Sequence, residues 1–204
     1  MDIYSLQLPD LGYMMNHAMF QRNGRLGYVL KPSALRLGSK DRLSHRTEHY
    51  LDVSIISAQQ LPRPKDASGR EIIEKGTVDP YVEVSLHVPD WTHEDEAFVP
   101  HTPNGVDGGL NYSPPTTNPS TARTITYRTG VVKNNGFNPV WEENLRIPFD
   151  CVADMKELIF VRFAVRQGGQ DVEEPIAVFC ASLGSLQRGM NLCHRLKCIL
   201  TILS

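Results

Sequence analysis

The stretch NNGFNPVWEENLRIPF, Asn134–Phe149, sets a turn directly against a strand. Asn135-Gly136 supplies residues that tolerate a positive φ, and Asn138-Pro139 sets up a second turn right after it. Trp141 then enters an extended segment with Leu145 and Ile147 on its own face, because side chains two apart along a strand share a side. The spacing predicts a tight connection whose indole is buried in the core beside Leu145 and Ile147.

The same period of two recurs on both sides of that stretch. In HYLDVSIIS, Leu51, Val53 and Ile55 alternate with Asp52 and Ser54; in VDPYVEVSLHV, Val82, Val84 and Leu86 share one face. ARTITYRTGVV, ELIFVRFAV and PIAVFCASL bring the strand-like segments to six, bounded by turn residues and with no convincing helix between them. The pattern predicts a mainly β protein, an antiparallel β-sandwich. Residues 89–122 interrupt it. Six prolines, three glycines and no sustained periodicity in 34 residues read as a mobile inserted loop.

A hydrophobic content of 41% and a charged content of 22% describe an ordinary soluble globular chain. The net charge of −2 is unevenly spread: residues 1–50 hold seven Lys/Arg against four Asp/Glu, and residues 89–122 hold five acids and no Lys or Arg. No half is basic enough for nucleic acid to be a main partner. MDIYSLQLPD has neither a basic start nor a long apolar core, so no signal peptide is expected. Ile199–Leu203 is too short to span a bilayer. The expectation is a cytoplasmic protein that meets membranes peripherally. Cys151, Cys180, Cys193 and Cys198 lack CxxC spacing and read as reduced thiols, two of them buried in strands. A metal site at Cys193, His194 and Cys198 is the disfavoured alternative. Glu94-Asp95-Glu96 reads as solvated surface, with a scaffold role for the acidic loop as the minor alternative.

The first 45 residues stand apart from this pattern. In NGRLGYVLKPSALR, Asn23–Arg36, Gly24 and Gly27 flank a bend, and Tyr28, Val29 and Leu30 form a short apolar run that suits a buried strand. Pro32 stops it, since proline cannot continue a ladder. Residues 13–21, YMMNHAMFQ, predict a helical turn or two, with Met14, Ala18 and Gln21 along one face. One strand and its flanks cannot bury a core, so this segment needs a partner elsewhere.

The order DLGYMMNHAMFQRNGRLGYVLKPSALR, LDVSIISAQQLPRP, VDPYVEV, TGVVKNNGFNPVWEE and LIFVRFAV resembles phosphoinositide-specific phospholipase C, fungal members foremost. The resemblance implies three parts: residues 1–45 as the end of the Y-box, the last strand and helix of a TIM-type barrel; residues 46–190 as a C2 domain carrying the inserted loop 89–122; and residues 191–204 as a divergent tail. After LQRGM the family would continue into two closing strands, and NLCHRLKCILTILS does not follow that pattern, so a sandwich incomplete at its C-terminus and a truncated member are implied.

The same resemblance implies an activity and its limits. The family hydrolyses phosphatidylinositol 4,5-bisphosphate to inositol trisphosphate and diacylglycerol in signal transduction and lipid catabolism. Its catalytic histidines lie in the X-box half, the expected partner, so this chain would supply the docking domain and no catalytic residue; His17 has no catalytic counterpart. The alternative is a stand-alone C2 module that binds lipid or protein. The calcium of the family would be held by Asp79 and Asn134, with Asp66 of the first loop joining them. In the third loop the two family carboxylates are replaced by Gln167 and Gly169, so the site is weak or vestigial, with affinity on the order of millimolar. Attraction to an anionic phospholipid surface would then fall to Arg63, Lys65 and Arg166 near the loop tips.

Overall fold

The computed structural model describes residues 10–21, 23–36, 45–62, 78–89, 111–113, 123–153, 155–169, 175–186, 189–193 and 198–202. Among these described residues one α-helix, α1 (Leu11–Gln21), precedes nine strands: β1 (Arg46–Ala58), β2 (Pro80–Val88), β3 (Asn111–Ser113), β4 (Arg123–Arg128), β5 (Val140–Val152), β6 (Phe160–Gln167), β7 (Ala177–Ser182), β8 (Gly189–Cys193) and β9 (Cys198–Ile202). They form two sheets, ordered β5-β1-β9-β8 and β3-β4-β2-β6-β7. Neighbouring strands run antiparallel.

Alternation in the sequence decides which side chains meet between the sheets. Leu51 lies opposite Ile147 and Val53 opposite Leu145 in one sheet, while Val84 lies opposite Phe163 and Leu86 opposite Val161 in the other. All eight are at most 2% exposed and belong to one core. Burying each such side chain contributes about 1.5–3 kcal/mol. The six expected strands are all present, and Cys151 and Cys180 are free buried thiols in β5 and β7.

The turn before β5 works differently from the sequence expectation. Asn134, not Asn135 or Gly136, takes the left-handed backbone, with φ of 56°. Gly136 is needed for close approach instead, because a Cβ there would meet Val78 Cβ at 2.6 Å. Asn135 and Asn138 close the turn reciprocally: the Asn138 N–H donates to Asn135 Oδ1 at 3.0 Å, and Asn135 Nδ2 donates to the Asn138 carbonyl at 2.9 Å. Trp141 shares its face with Leu145 and Ile147 but is only half-buried at the core margin. Its indole N–H donates to the Gly130 carbonyl at 3.0 Å, which holds the ring at the edge of the sandwich. Trp141→Ala is therefore expected to cost about 2 kcal/mol in urea denaturation, below the 3–5 kcal/mol of a fully buried tryptophan. A loss at the full-burial level would show that the indole lies deeper than this.

The front segment docks on the sandwich. Asp10 caps α1 by accepting the Tyr13 N–H at 2.8 Å. The helix lies against β7, where Ala18 is buried with Phe160 and Cys180 among Met14, Met15 and Met19. Gln21, expected on that face, is exposed. Ala34 is fully buried in a second small cluster with Val152 and Met155. The expected buried strand Tyr28–Leu30, however, is absent. Tyr28 is 87% exposed, and Leu26 and Leu30 are 76% exposed. Arg25, Gly24 and Gly27 all have positive φ, which bends the chain before the apolar run, and no described strand pairs with it. A strand without a ladder partner gains nothing from being extended.

The other correction is at the far end. The tail 191–204 is expected to lack the closing strands, yet β8 and β9 pair antiparallel there, with Cys193 opposite Cys198 in the backbone register. β9 pairs along β1, Val53 opposite Ile202. The physical reason is the second half of β1: Val53–Ala58 would otherwise present an unpaired edge there, next to a buried core. Within the inserted loop, Asn111–Ser113 forms β3 against β4. The rest of the loop, with Glu94-Asp95-Glu96, and His194 of the disfavoured metal site lie outside the described residues.

Candidate functional site

At one end of the sandwich three connections converge: the residues entering β2, the turn between β4 and β5, and the turn leaving β6. Asp79 sits at their centre. Its Oδ1 accepts the Asn134 N–H at 2.6 Å, its carbonyl accepts the Gly168 N–H at 2.8 Å, and its own N–H donates to Gln167 Oε1 at 3.2 Å. Gln167 Nε2 turns back to the Gly168 carbonyl at 3.3 Å. The segment after β1 joins from the other side: the Gln60 and Leu61 N–H groups donate to the Phe137 and Gly136 carbonyls at 2.6 and 3.1 Å. Gly168 packs so closely on Val131 that a Cβ would meet Val131 Cγ1 at 2.8 Å.

Two of the three sequence-derived ligands, Asp79 and Asn134, are thus brought together, but by a direct hydrogen bond. Asp66 lies outside the described residues. Calcium takes six to eight oxygen ligands, several of them anionic. Among the described residues this end offers Asp79, with one carboxylate oxygen already given to a backbone amide, Gln167 with its side-chain oxygen likewise engaged, and Glu143, whose Oε1 accepts the Gly130 N–H at 2.8 Å. No group of three or more His, Cys, Asp or Glu that could hold a metal occurs among the described residues. The donors described here do not fit a calcium site of the family type. The end also exposes apolar side chains, Phe137 at 65% and Val131 at 47%, alongside exposed Lys133, Asn134 and Asn138.

The outward face of the β4-β2-β6 layer carries a second polar cluster. Glu83, 6% exposed, receives Arg128 Nε at 3.1 Å and Arg166 Nε at 3.1 Å, with Arg162 at 3.8 Å. Arg128 also lies over the Tyr81 ring at 5.8 Å. Arg166, expected near the loop tips as a lipid-facing charge, is instead committed to Glu83. Arg63 and Lys65 lie outside the described residues. Sequence reasoning missed the Glu83 hub, which follows only from the strand register that sets Glu83 opposite Arg128 and Tyr81 opposite Arg166.

The nucleophile- and base-type side chains on this sheet are poor ones. His87 Nδ1 bonds Thr124 Oγ1 at 2.9 Å, and burial, helped by the Arg162 charge, pushes its pKa down to about 4. Burial pushes the Cys180 thiol up to about 11 against a smaller opposing pull from Arg162. At neutral pH both are neutral, and neither is poised for proton transfer. His17 lies on α1, stacked at 6.2 Å on Tyr13 and bonded to Gln21 at 3.1 Å. On the side of α1 that faces residues 29–35, a groove of about 290 Å³ is lined by Met19, Val29, Leu30, Pro32, Leu35 and Leu158. No helix among the described residues is long and apolar enough to cross a membrane.

Two antiparallel sheets with connections gathered at one end are matched by a family model. The C2 domain model covers residues 49–103 and 116–198. The chain belongs to the C2-domain family. The gap between the two matched segments of the C2 domain falls in the proline- and glycine-rich insertion, and the match runs on to the first residue of β9. Relatives bear out the resemblance to phosphoinositide phospholipase C. Human 1-phosphatidylinositol 4,5-bisphosphate phosphodiesterase eta-1 is 32% identical over 80% of this chain and 8% of its own length. 1-phosphatidylinositol 4,5-bisphosphate phosphodiesterase 1 of Candida albicans is 27% identical over 90% of this chain and 16% of its own. Mouse Inactive phospholipase C-like protein 2 is 27% identical over 91% of this chain and 14% of its own. The chain thus spans a small fraction, 8% to 16%, of the length of these relatives.

Proposed function

We propose that this chain is the membrane-docking, C-terminal portion of a phosphoinositide phospholipase C, the enzyme class that converts phosphatidylinositol 4,5-bisphosphate into inositol trisphosphate and diacylglycerol. The observation that carries the reading is the reach of the alignments. Those covering 90% and 91% of the chain extend past the sandwich into the segment ahead of β1, so the likeness is to the C2 domain together with what precedes it. The chain's own part is docking. Cleaving a phosphodiester by general acid–base catalysis takes two groups on either side of the phosphate, and His87 and Cys180 are held neutral under cover. Catalysis belongs to the X-box half, and the exposed Leu26, Tyr28 and Leu30 beside the α1 groove offer that half an apolar contact.

Docking is peripheral, at the cytoplasmic leaflet, through the loop end. Lys133 meets anionic headgroups, an attraction of about 1 kcal/mol per basic residue, while Phe137 and Val131 enter the headgroup boundary. It is insensitive to calcium at cytosolic levels, because Asp79 and Gln167 are engaged with each other's loops. A second reading, a C2 module with no enzymatic partner, is favoured by the packing of α1 and Ala34 onto the sandwich, which makes the front segment part of the same body.

Cosedimentation with phosphatidylserine vesicles containing phosphatidylinositol 4,5-bisphosphate tests the docking. Binding is expected to be the same in EGTA and in micromolar calcium, and Phe137→Ala is expected to weaken it at least about tenfold, since burying one phenyl side chain is worth about 1.5–3 kcal/mol. A large calcium-dependent gain, or indifference to Phe137→Ala, would overturn it. Release of soluble inositol phosphate by this chain alone would refute the assignment of catalysis to another half.

A further inference from the structure

We infer that Asp79 acts as an uncharged-equivalent hydrogen-bond hub, a positioning residue that holds the apolar loop tip in its docking geometry where an ion would otherwise be needed. The inference rests on the loop-end docking reading and names the device behind it. Three of the polar atoms of Asp79 tie two turns together: Oδ1 holds Asn134 of the β4–β5 turn, while the carbonyl and the N–H hold Gly168 and the Gln167 side chain of the turn leaving β6. Asn134 has a left-handed backbone, with φ of 56°, which asparagine tolerates better than most non-glycine residues, and its amide donates to Asp79 Oδ1 from that conformation. Phe137 follows three residues later in the same turn: that bond anchors the turn's start, while the Asn135–Asn138 pair and the Gln60 N–H on the Phe137 carbonyl hold the rest.

The same geometry separates the hub from a metal ligand. A ligand role needs the negative charge of Asp79, since calcium affinity follows the anionic donor count. The hub needs only an acceptor at Oδ1, which asparagine retains. Asp79→Asn should therefore be tolerated and Asp79→Ala should not. Gln167, which replaces a family carboxylate, fits this role: its side-chain oxygen accepts a hydrogen bond from Asp79 and carries no charge to repel the neighbouring carboxylate.

The experiment is amide hydrogen exchange by NMR on the full 204-residue chain, with vesicle partition measured on the same samples. In EGTA the Asn134 amide is expected to exchange at least about tenfold more slowly than an unbonded amide, unchanged by calcium. Asp79→Asn keeps that protection and keeps wild-type vesicle partition. Asp79→Ala loses protection at Asn134 while Gly168, held by the backbone carbonyl, stays protected, and vesicle partition falls. The inference is overturned if the Asn134 amide exchanges freely in EGTA and slows on adding calcium, or if Asp79→Asn behaves like Asp79→Ala in both readouts. Should Asp79→Ala fail to fold, the wild-type exchange pattern and Asp79→Asn decide the matter alone. If no variant partitions onto vesicles, the docking reading fails, while the exchange data still judge the hub.

Discussion

Replacing Asp150 with alanine is expected to destabilise the sandwich by about 3–5 kcal/mol. Asp150 is 2% exposed, on β5 of the four-stranded sheet. It pairs with Arg123 of β4 in the other sheet, itself 3% exposed, and with Arg46 of the neighbouring strand β1 at 2.9 Å. A buried ion pair contributes little net stability when both partners are compared with well-packed apolar residues, because desolvation offsets the attraction. Removing one partner is a different experiment. It leaves the Arg123 guanidinium buried without the carboxylate that compensates its charge. The contrast with Asp52 separates the two cases: Asp52 meets Arg146 at 3.6 Å with both side chains substantially exposed, so Asp52→Ala should change stability by no more than about 1 kcal/mol. Urea midpoints of the two variants give the comparison. Equal effects would mean that Asp150 is solvated and that the inter-sheet pair is not formed.

Acid is expected to remove about 3 kcal/mol through one residue. The pKa of His87 is pushed down to about 4 in the folded chain, from an ordinary value of 6.5. Between those values the unfolded chain binds a proton that the folded chain refuses, so stability rises with pH across the window. The contribution is fully present above pH 6.5 and is lost as the pH falls towards 4, at 1.36 kcal/mol per pKa unit. Thr124 supports the neutral ring through its hydroxyl, and the Arg162 charge opposes protonation from β6. Other groups also titrate in this range, so the measurement is the difference between wild type and His87→Gln, unfolded in urea at pH 7 and at pH 4.5. Wild type should lose markedly more stability than the variant over that interval. Parallel losses would show that His87 is accessible to protons in the native state.

The elements that local pattern decides were legible. The alternation of Val82, Val84 and Leu86 is an intrinsic property of β2, and the strand is where that pattern puts it. The helix was readable as a turn or two, but its full extent depends on the cap at Asp10, a single side chain outside the apolar pattern. Tyr28–Leu30 shows the limit. A short apolar run has the same composition whether or not a neighbouring strand waits to pair with it, and pairing is a tertiary fact. β9 failed for the converse reason. CILTI carries β-branched residues, but its role comes from the open edge of β1, some 150 residues away in sequence. At the loop end, the proximity of Asp79 and Asn134 came from resemblance. That they bond each other could not, because the same two residue types serve a shared ion or a direct contact equally well.

The pairing of β1 with β9 carries a consequence for biosynthesis. β1 leaves the ribosome before the other strands described here, and β5 can zip onto one side of it once residue 152 has emerged. Its other side waits for Leu200 and Ile202. Throughout that interval the nascent four-stranded sheet has an open edge beside Val53 and Ile55, a template for pairing with another chain. Closure comes late and over a long sequence separation, the arrangement that slows folding most. Chaperone demand for this sandwich should therefore be set less by its overall stability than by how quickly the β8–β9 hairpin arrives.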